Sequence, residues 1–332
     1  MTLFKSLTLC ATFLFTLISS GVQAQEVKKL RVDSRTSADF SELIQNRATK
    51  QEITATLYLP SVGNPPFKTI LAAHGSGGVG PNEELFKTYA LEAGFAFVVV
   101  DSFTDRGVSS TATNQASVSY SSQVADALYT LKLLANESQI DINRVGIFGL
   151  SRGGMVAHFA AHKPLLEAVV GPDLSFAAHF SLTPACNARL EQWIVKPGAP
   201  VFIAMGEKDD YTPPPSCQPL MTRLRDAGAA VQTKVYPEAF HAFAHLAGRV
   251  FYAPRVQRIR TDKPCQIVTD SEGITSIVTE GLASGAVVVN GDWSKFFNDW
   301  LGRCGTLGGT VGSNRDHRPQ IKQDFQGFFS KM

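Results

Sequence analysis

The sequence predicts an α/β protein with a mostly parallel central sheet flanked by helices. Three observations carry that expectation. Between about residue 50 and residue 240, short apolar runs alternate with amphipathic stretches, as in strands joined by crossover helices. The run Phe95-Ala96-Phe97-Val98-Val99-Val100 is apolar at every position, which suits a strand covered on both faces. A further strand pattern, Val145 to Gly149, passes directly into a helical one.

The predicted strands are Thr54–Leu59, Thr69–Ala73, Phe95–Val100, Val145–Gly149, Phe176–Leu182, Val201–Met205 and Val231–Tyr236. Val124, Ala127, Leu128, Leu131 and Leu134 recur at helical spacing and predict a helix facing the sheet. A second helix is expected from Ser151 to His162, and a short closing helix over Lys322–Phe329. Residues from about 255 to 310 are basic (Arg255, Arg258, Arg260) and then rich in Gly, Ser and Val. They read as an insertion without a helical period, decorating a single domain over 25–332.

The first residues read as a targeting segment. Lys5 is a positive start, Leu7 to Ile18 are apolar, and Val22-Gln23-Ala24 supplies small residues for cleavage after Ala24. The apolar run falls short of the roughly 20 residues of a bilayer span. An exported, periplasmic or secreted protein is therefore expected, with no membrane association after cleavage. Of five cysteines, Cys10 leaves with this segment, while Cys186, Cys217, Cys265 and Cys304 remain. An even count in an oxidising compartment suggests disulfides. Sequence order favours Cys186–Cys217 and Cys265–Cys304 among the three pairings. A composition of 44% hydrophobic and 18% charged residues supports a core rather than a disordered chain. The net charge of +2, with no run of Lys or Arg gathering it into a patch, gives no sign of a nucleic-acid or membrane-surface partner, and none is expected.

The chemistry centres on Gly149-Leu150-Ser151-Arg152-Gly153, a G-x-S-x-G pattern between strand and helix. The pattern and its place match the nucleophile elbow of the α/β-hydrolase fold, where flanking glycines permit a turn too sharp for larger side chains. A serine hydroxyl needs a base, and the base an orienting acid; in this fold they follow in the order Ser, acid, His. Of seven histidines, His74 precedes Ser151, His158 and His162 lie on its own helix, His179 falls in a strand, and His317 in a polar tail. His241, in the loop after Tyr236, is the predicted base, because ligands gather at the carboxyl ends of strands in open α/β sheets. A metal pair with His245 is the lesser reading. The predicted acid is Asp209, in the turn Gly206 to Pro213 after the strand Val201–Met205, with Asp210 as the alternative. The turn His74-Gly75-Ser76-Gly77-Gly78 supplies the other expected element: the Ser76 and Arg152 backbone N–H groups as oxyanion donors.

With these pieces placed, the chain resembles the dienelactone hydrolase family, particularly its exported members, from about Ile53 to His245. Further matching motifs are Asp101-Ser102-Phe103 with Arg106-Gly107, Asp141-x-x-Arg144-Val145-Gly146, Phe176-Ala177-Ala178-His179, and Tyr236 through Phe243. Dienelactone hydrolases proper carry a cysteine nucleophile where this chain has Ser151. The resemblance therefore implies a general serine carboxylesterase acting on a small-molecule ester, without metal or organic cofactor. Arg106, Arg255, Arg258 and Arg260 are candidates for contacting a substrate carboxylate, with surface positions as the plainer expectation. A peptidase of similar fold and a catalytically silent binding protein are the rival readings. The sequence leaves the oligomeric state open.

Overall fold

A computed structural model describes residues 26–191, 193–260, 265–279, 287–288 and 291–332. The expected targeting segment, including Cys10, lies outside them.

The chain forms strands β1 (Glu26–Thr36), β2 (Thr49–Leu59), β3 (Phe67–Ala73), β4 (Ala96–Asp101), β5 (Ile140–Leu150), β6 (His179–Leu182), β7 (Ala188–Leu190), β8 (Pro200–Gly206) and β9 (Ala230–Tyr236). It continues with β10 (Arg249–Ile259), β11 (Cys265–Thr269), β12 (Thr275–Thr279), β13 (Val287–Val288) and β14 (Gly305–Ser313). The helices are α1 (Phe40–Ile44), α2 (Pro81–Glu92), α3 (Tyr120–Leu134), α4 (Arg152–Phe159), α5 (Lys163–Val170), α6 (Gln218–Asp226), α7 (Trp293–Cys304) and α8 (Arg318–Phe329).

The main sheet has eight strands in the order β1-β2-β4-β3-β5-β6-β8-β9. From β4 to β9 every neighbouring pair is parallel, while β1 and β2 pair antiparallel at one edge. Side-chain alternation explains the continuous apolar strands. On β4, Ala96, Val98 and Val100 join the core cluster on one face, while Phe97 and Val99 join the cluster on the other. Helix α3 covers the first face with Val124, Ala127, Leu128, Leu131 and Leu134, all buried. Its start is fixed by Ser119, whose side chain accepts from the Ser122 N–H.

The opposite face is built from rings. Phe86 of α2 stacks on Phe148 of β5 at 4.2 Å. Phe325 of α8 packs edge-on against Phe86, Phe148 and Phe180.

Several expectations change. Strand β1 was not predicted; only Leu30 and Val32 are apolar and buried on it, but it pairs with β2 over their full length. The strand expected over Phe176–Leu182 begins at His179. The helix expected to His162 stops at Phe159, and α5 starts separately with Pro164 in its first turn.

The described residues of the insertion carry regular structure that its composition did not predict. It contains α7, whose buried Trp293, Phe296, Phe297 and Trp300 are spaced as one helical face. Strands β10 and β14 form a two-stranded antiparallel ribbon, while β7, β11, β12 and β13 form a small second sheet. Disulfides join Cys186 to Cys217 and Cys265 to Cys304. No helix among the described residues is long and apolar enough to cross a membrane.

Two residues expected at the surface or in a polar tail have largely covered side chains. Arg106 makes a bidentate ion pair with Asp126, at 2.8 and 3.0 Å, and Asp126 also accepts from Ser34 Oγ. His317 packs against the rings of Tyr236 and Phe243 at the start of α8.

Because Phe325 is fully buried among four rings, Phe325→Ala should destabilise the protein by about 3–5 kcal/mol. Urea unfolding measures it; a loss under 1 kcal/mol would show that α8 is not a structural cover.

Candidate active site

Strand β5 turns into α4 at Ser151, whose backbone sits at φ 57° and ψ −115°. This is a strained conformation for a residue with a side chain, and such strain clusters at functional sites. The turn brings backbone against backbone. A Cβ on Gly149 would lie 2.0 Å from the Gly153 carbonyl oxygen, and one on Gly153 would lie 1.9 Å from that of Ala73. Only glycine fits either place, so the pattern seen in sequence is a packing requirement. Ser151 is nearly buried and lines a cavity of about 210 Å³ shared with Ser76, Glu83, Tyr211 and His241.

Asp209 follows β8. Its Oδ1 accepts from the N–H groups of Tyr211 and Thr212, at 2.9 and 2.8 Å. Its Oδ2 lies 2.9 Å from His241 Nδ1 and accepts from Thr212 Oγ1 at 2.9 Å. Asp210 points elsewhere: it accepts from the backbone N–H and hydroxyl of Thr310 on β14, at 2.6 and 3.0 Å. Geometry thus pairs Asp209, and not Asp210, with His241.

The histidine loop is clamped from two sides. The acid-bearing turn reaches it through Lys208 N–H to Ala239 O, 2.8 Å. Strand β14 reaches it through Phe240 N–H to Gly312 O at 2.9 Å, Gly312 N–H to His241 O at 2.7 Å and His241 N–H to Thr310 O at 3.3 Å. Tyr211 leans on the imidazole with its ring centroid at 4.5 Å.

The other histidines are engaged differently. His74 is buried, its Nδ1 2.8 Å from Gly75 O while its Nε2 accepts from the Ser102 N–H. That arrangement holds a neutral ring, and burial pushes its pKa down. Burial also lowers His158 to about 3 and His179 to about 4. His245 Nδ1 lies 3.2 Å from Asn82 Oδ1.

Ser76 and Arg152 both border Ser151, sharing with it a small second pocket of about 40 Å³. Among the described residues, neither backbone N–H donates to a carbonyl. Of the arginines considered for substrate contact, Arg258 lines this pocket and Arg260 a neighbouring cavity, whereas Arg255 is exposed.

Three features were not anticipated from sequence. Thr212 Oγ1 touches both Asp209 and His241, the latter at 3.0 Å. The Arg152 side chain is buried in a polar network with Gln115 and Gln123. Glu83 caps α2 by accepting from the Gly80 N–H, and burial lifts its carboxyl to about 7. Glu83 stands three residues after a glycine, which has no side chain to complete a capping box, and the two glutamines carry no local signal either.

The model of the dienelactone hydrolase family matches residues 53–258. The chain belongs to the dienelactone hydrolase family. Membership places it among carboxylic-ester hydrolases. No curated protein matches the chain. Similar solved structures include a putative dienelactone hydrolase from Klebsiella pneumoniae subsp. pneumoniae MGH 78578, at 17% identity. That alignment covers 67% of this chain and 90% of the other, with a TM-score of 0.49. A hyperthermophilic esterase from Pyrobaculum calidifontis aligns at 14% identity over 68% and 80% of the two chains, with a TM-score of 0.47. A thermostable esterase from Pseudomonas putida ECU1011 aligns at 17% identity over 67% and 75%, with a TM-score of 0.48.

Two outcomes test this site within the dienelactone hydrolase framework. Gly153→Ala should fail to yield native protein or displace the elbow, because its Cβ would collide with the Ala73 carbonyl; a variant with native circular dichroism and unaltered melting contradicts the packing. The raised pKa of Glu83 means that its protonated form is favoured on folding. Its contribution is full below 4.5 and lost as pH rises through about 7. Compared with Glu83→Gln, the wild type should therefore lose on the order of 3 kcal/mol of relative stability from pH 4.5 to 8. Urea titrations at several pH values read this, and parallel curves would refute it.

Proposed function

We propose that this member of the family is a serine carboxylesterase working through an acyl-enzyme, with Ser151, His241 and Asp209 as its triad. The observation that carries the reading is the 2.9 Å contact between His241 Nδ1 and Asp209 Oδ2, on a histidine that shares its cavity with the strained Ser151.

In this mechanism the Nδ1–H of His241 donates to Asp209, leaving Nε2 unprotonated to take the Ser151 proton as Oγ attacks the ester carbonyl. The Ser76 and Arg152 N–H groups hold the oxyanion of the tetrahedral intermediate. His241 then gives its proton to the departing alcohol oxygen. A water, deprotonated by the same ring, attacks the acyl-enzyme; the Ser151 Oγ–acyl bond breaks to release the acid, and His241 returns the proton to Ser151 Oγ. Every proton is accounted for by one imidazole, so the chemistry needs no cofactor. Thr212, bonded to Asp209 and close to His241 Nδ1, favours the same tautomer.

The protein is further proposed to act outside the cytoplasm, on a small-molecule ester, after removal of residues 1–24. The two disulfides support an oxidising location.

A fluorophosphonate probe should label the wild type at Ser151. Ser151→Ala and His241→Ala should each lower the hydrolysis of chromogenic esters by at least about a thousand-fold, with melting temperature retained. Undiminished turnover in Ser151→Ala would end this reading, and absence of labelling would favour a silent binding protein.

A further inference from the structure

The two proposed oxyanion donors come from different segments: Ser76 from the loop after β3, and Arg152 from the elbow. Their separation decides whether both N–H groups meet one oxygen, since donors must lie near 2.7–3.1 Å from it. The Arg152 side chain spans this gap. It is 2% exposed, yet no ion pair to it occurs among the described residues. Its guanidinium is held by neutral acceptors instead. Nε donates to Gln123 Oε1 at 2.8 Å, Nη1 to Gln115 Oε1 at 3.0 Å and Gln115 O at 3.4 Å, and Nη2 to Val118 O. Its plane lies over the Tyr120 ring, 4.5 Å from the centroid.

Both glutamines pass the contact on to the loop after β3. Gln123 Nε2 donates to His74 O, and Gln115 Nε2 donates to Ser76 Oγ, each at 2.8 Å. Gln115 is itself fixed from β10, because its N–H donates to Gln257 Oε1 at 2.8 Å. One side chain therefore reaches, through two intermediaries, both ends of the segment that bears the second donor.

We propose that the Arg152 side chain is a positioning residue that, through Gln115 and Gln123, fixes the Ser76 loop relative to the elbow and so sets the geometry of the oxyanion hole. A fold staple alone would be met more simply by an apolar side chain, since a buried charge without a carboxylate partner is costly to retain. The planar fork is also essential to the arrangement. Lysine keeps the charge but cannot present a planar fork of donors to the acceptors of all three residues. Burial lowers the Arg152 pKa only to about 10, so the group stays charged at neutral pH.

This inference rests on the serine esterase reading, and its test separates the two. The readouts are the fluorophosphonate labelling rate at Ser151, which needs no knowledge of the natural ester, and kcat and KM on a chromogenic ester. Arg152→Lys and Gln115→Ala should each slow labelling and lower kcat by about 10- to 100-fold, somewhat less than loss of a whole donor. KM should change less than about threefold. The double variant should be no slower than the worse single one, because both cut the same link.

Should Arg152→Lys not fold, Gln115→Ala decides, as it leaves Arg152 bonded to Gln123 and Val118. A folded Gln115→Ala that labels within twofold of the wild type overturns the positioning role, as does a lowered melting temperature with unchanged rates. So does a double variant whose loss is the product of the two singles. A wild type that never labels at Ser151 instead removes the esterase reading itself, and this inference with it.

Discussion

The close approach of three backbone segments at the elbow governs the rest of the molecule. Strand β5 must end, turn and begin α4 within one residue, while the start of α4 lies against the end of β3. Gly153 meets the Ala73 carbonyl there, and Gly149 meets Gly153. The reversal is absorbed at Ser151, in a conformation that a side chain adopts only at a cost of order 1–3 kcal/mol. That cost is sustained by the packing around it: β3 and β5 are parallel neighbours in the middle of the sheet, and both faces are filled. The strain lifts a hydroxyl out of the chain where the β3 loop and α4 converge.

The histidine side of the site is held by a different logic. The loop of His241 carries positive φ at two non-glycine residues, Glu238 and Ala242, and is fastened to neighbouring strands rather than to a helix. One fastening is the Asp209 turn. The other is β14, which arrives some seventy residues later in the chain and bonds to Phe240 and His241. Asp210 completes the junction by holding Thr310. Two adjacent aspartates thus divide the work: one faces the imidazole, the other ties down the strand that presents it. The inserted region is therefore part of the support of the site, through β14 and through Gln257 on β10.

Much of the central sheet was legible in sequence because its strands are buried on both faces and its long helix is strongly periodic. Strand β1 was not, since its stability comes from full-length pairing with β2 and not from its own composition. Helix α7 was hidden by the Gly, Ser and Val residues before it, although its aromatic spacing was present. His317, placed by the sequence in a polar tail, is buried by rings from β9 and the histidine loop that local reading does not bring near it.

What the sequence determined by itself is local chemistry and chain order: a serine flanked by the glycines its turn demands, then an acid turn, then a histidine. Those signals lie within a few residues of one another or follow the order of the strands, so no long-range contact is needed to read them. The tertiary structure decided which of two neighbouring aspartates meets the imidazole, that Arg106 is locked to Asp126, and that the Arg152 side chain joins the two loops beside Ser151. Each of these is a hydrogen bond between segments twenty to a hundred residues apart. A side chain's direction at such a contact is set by packing, which neighbours in sequence do not specify.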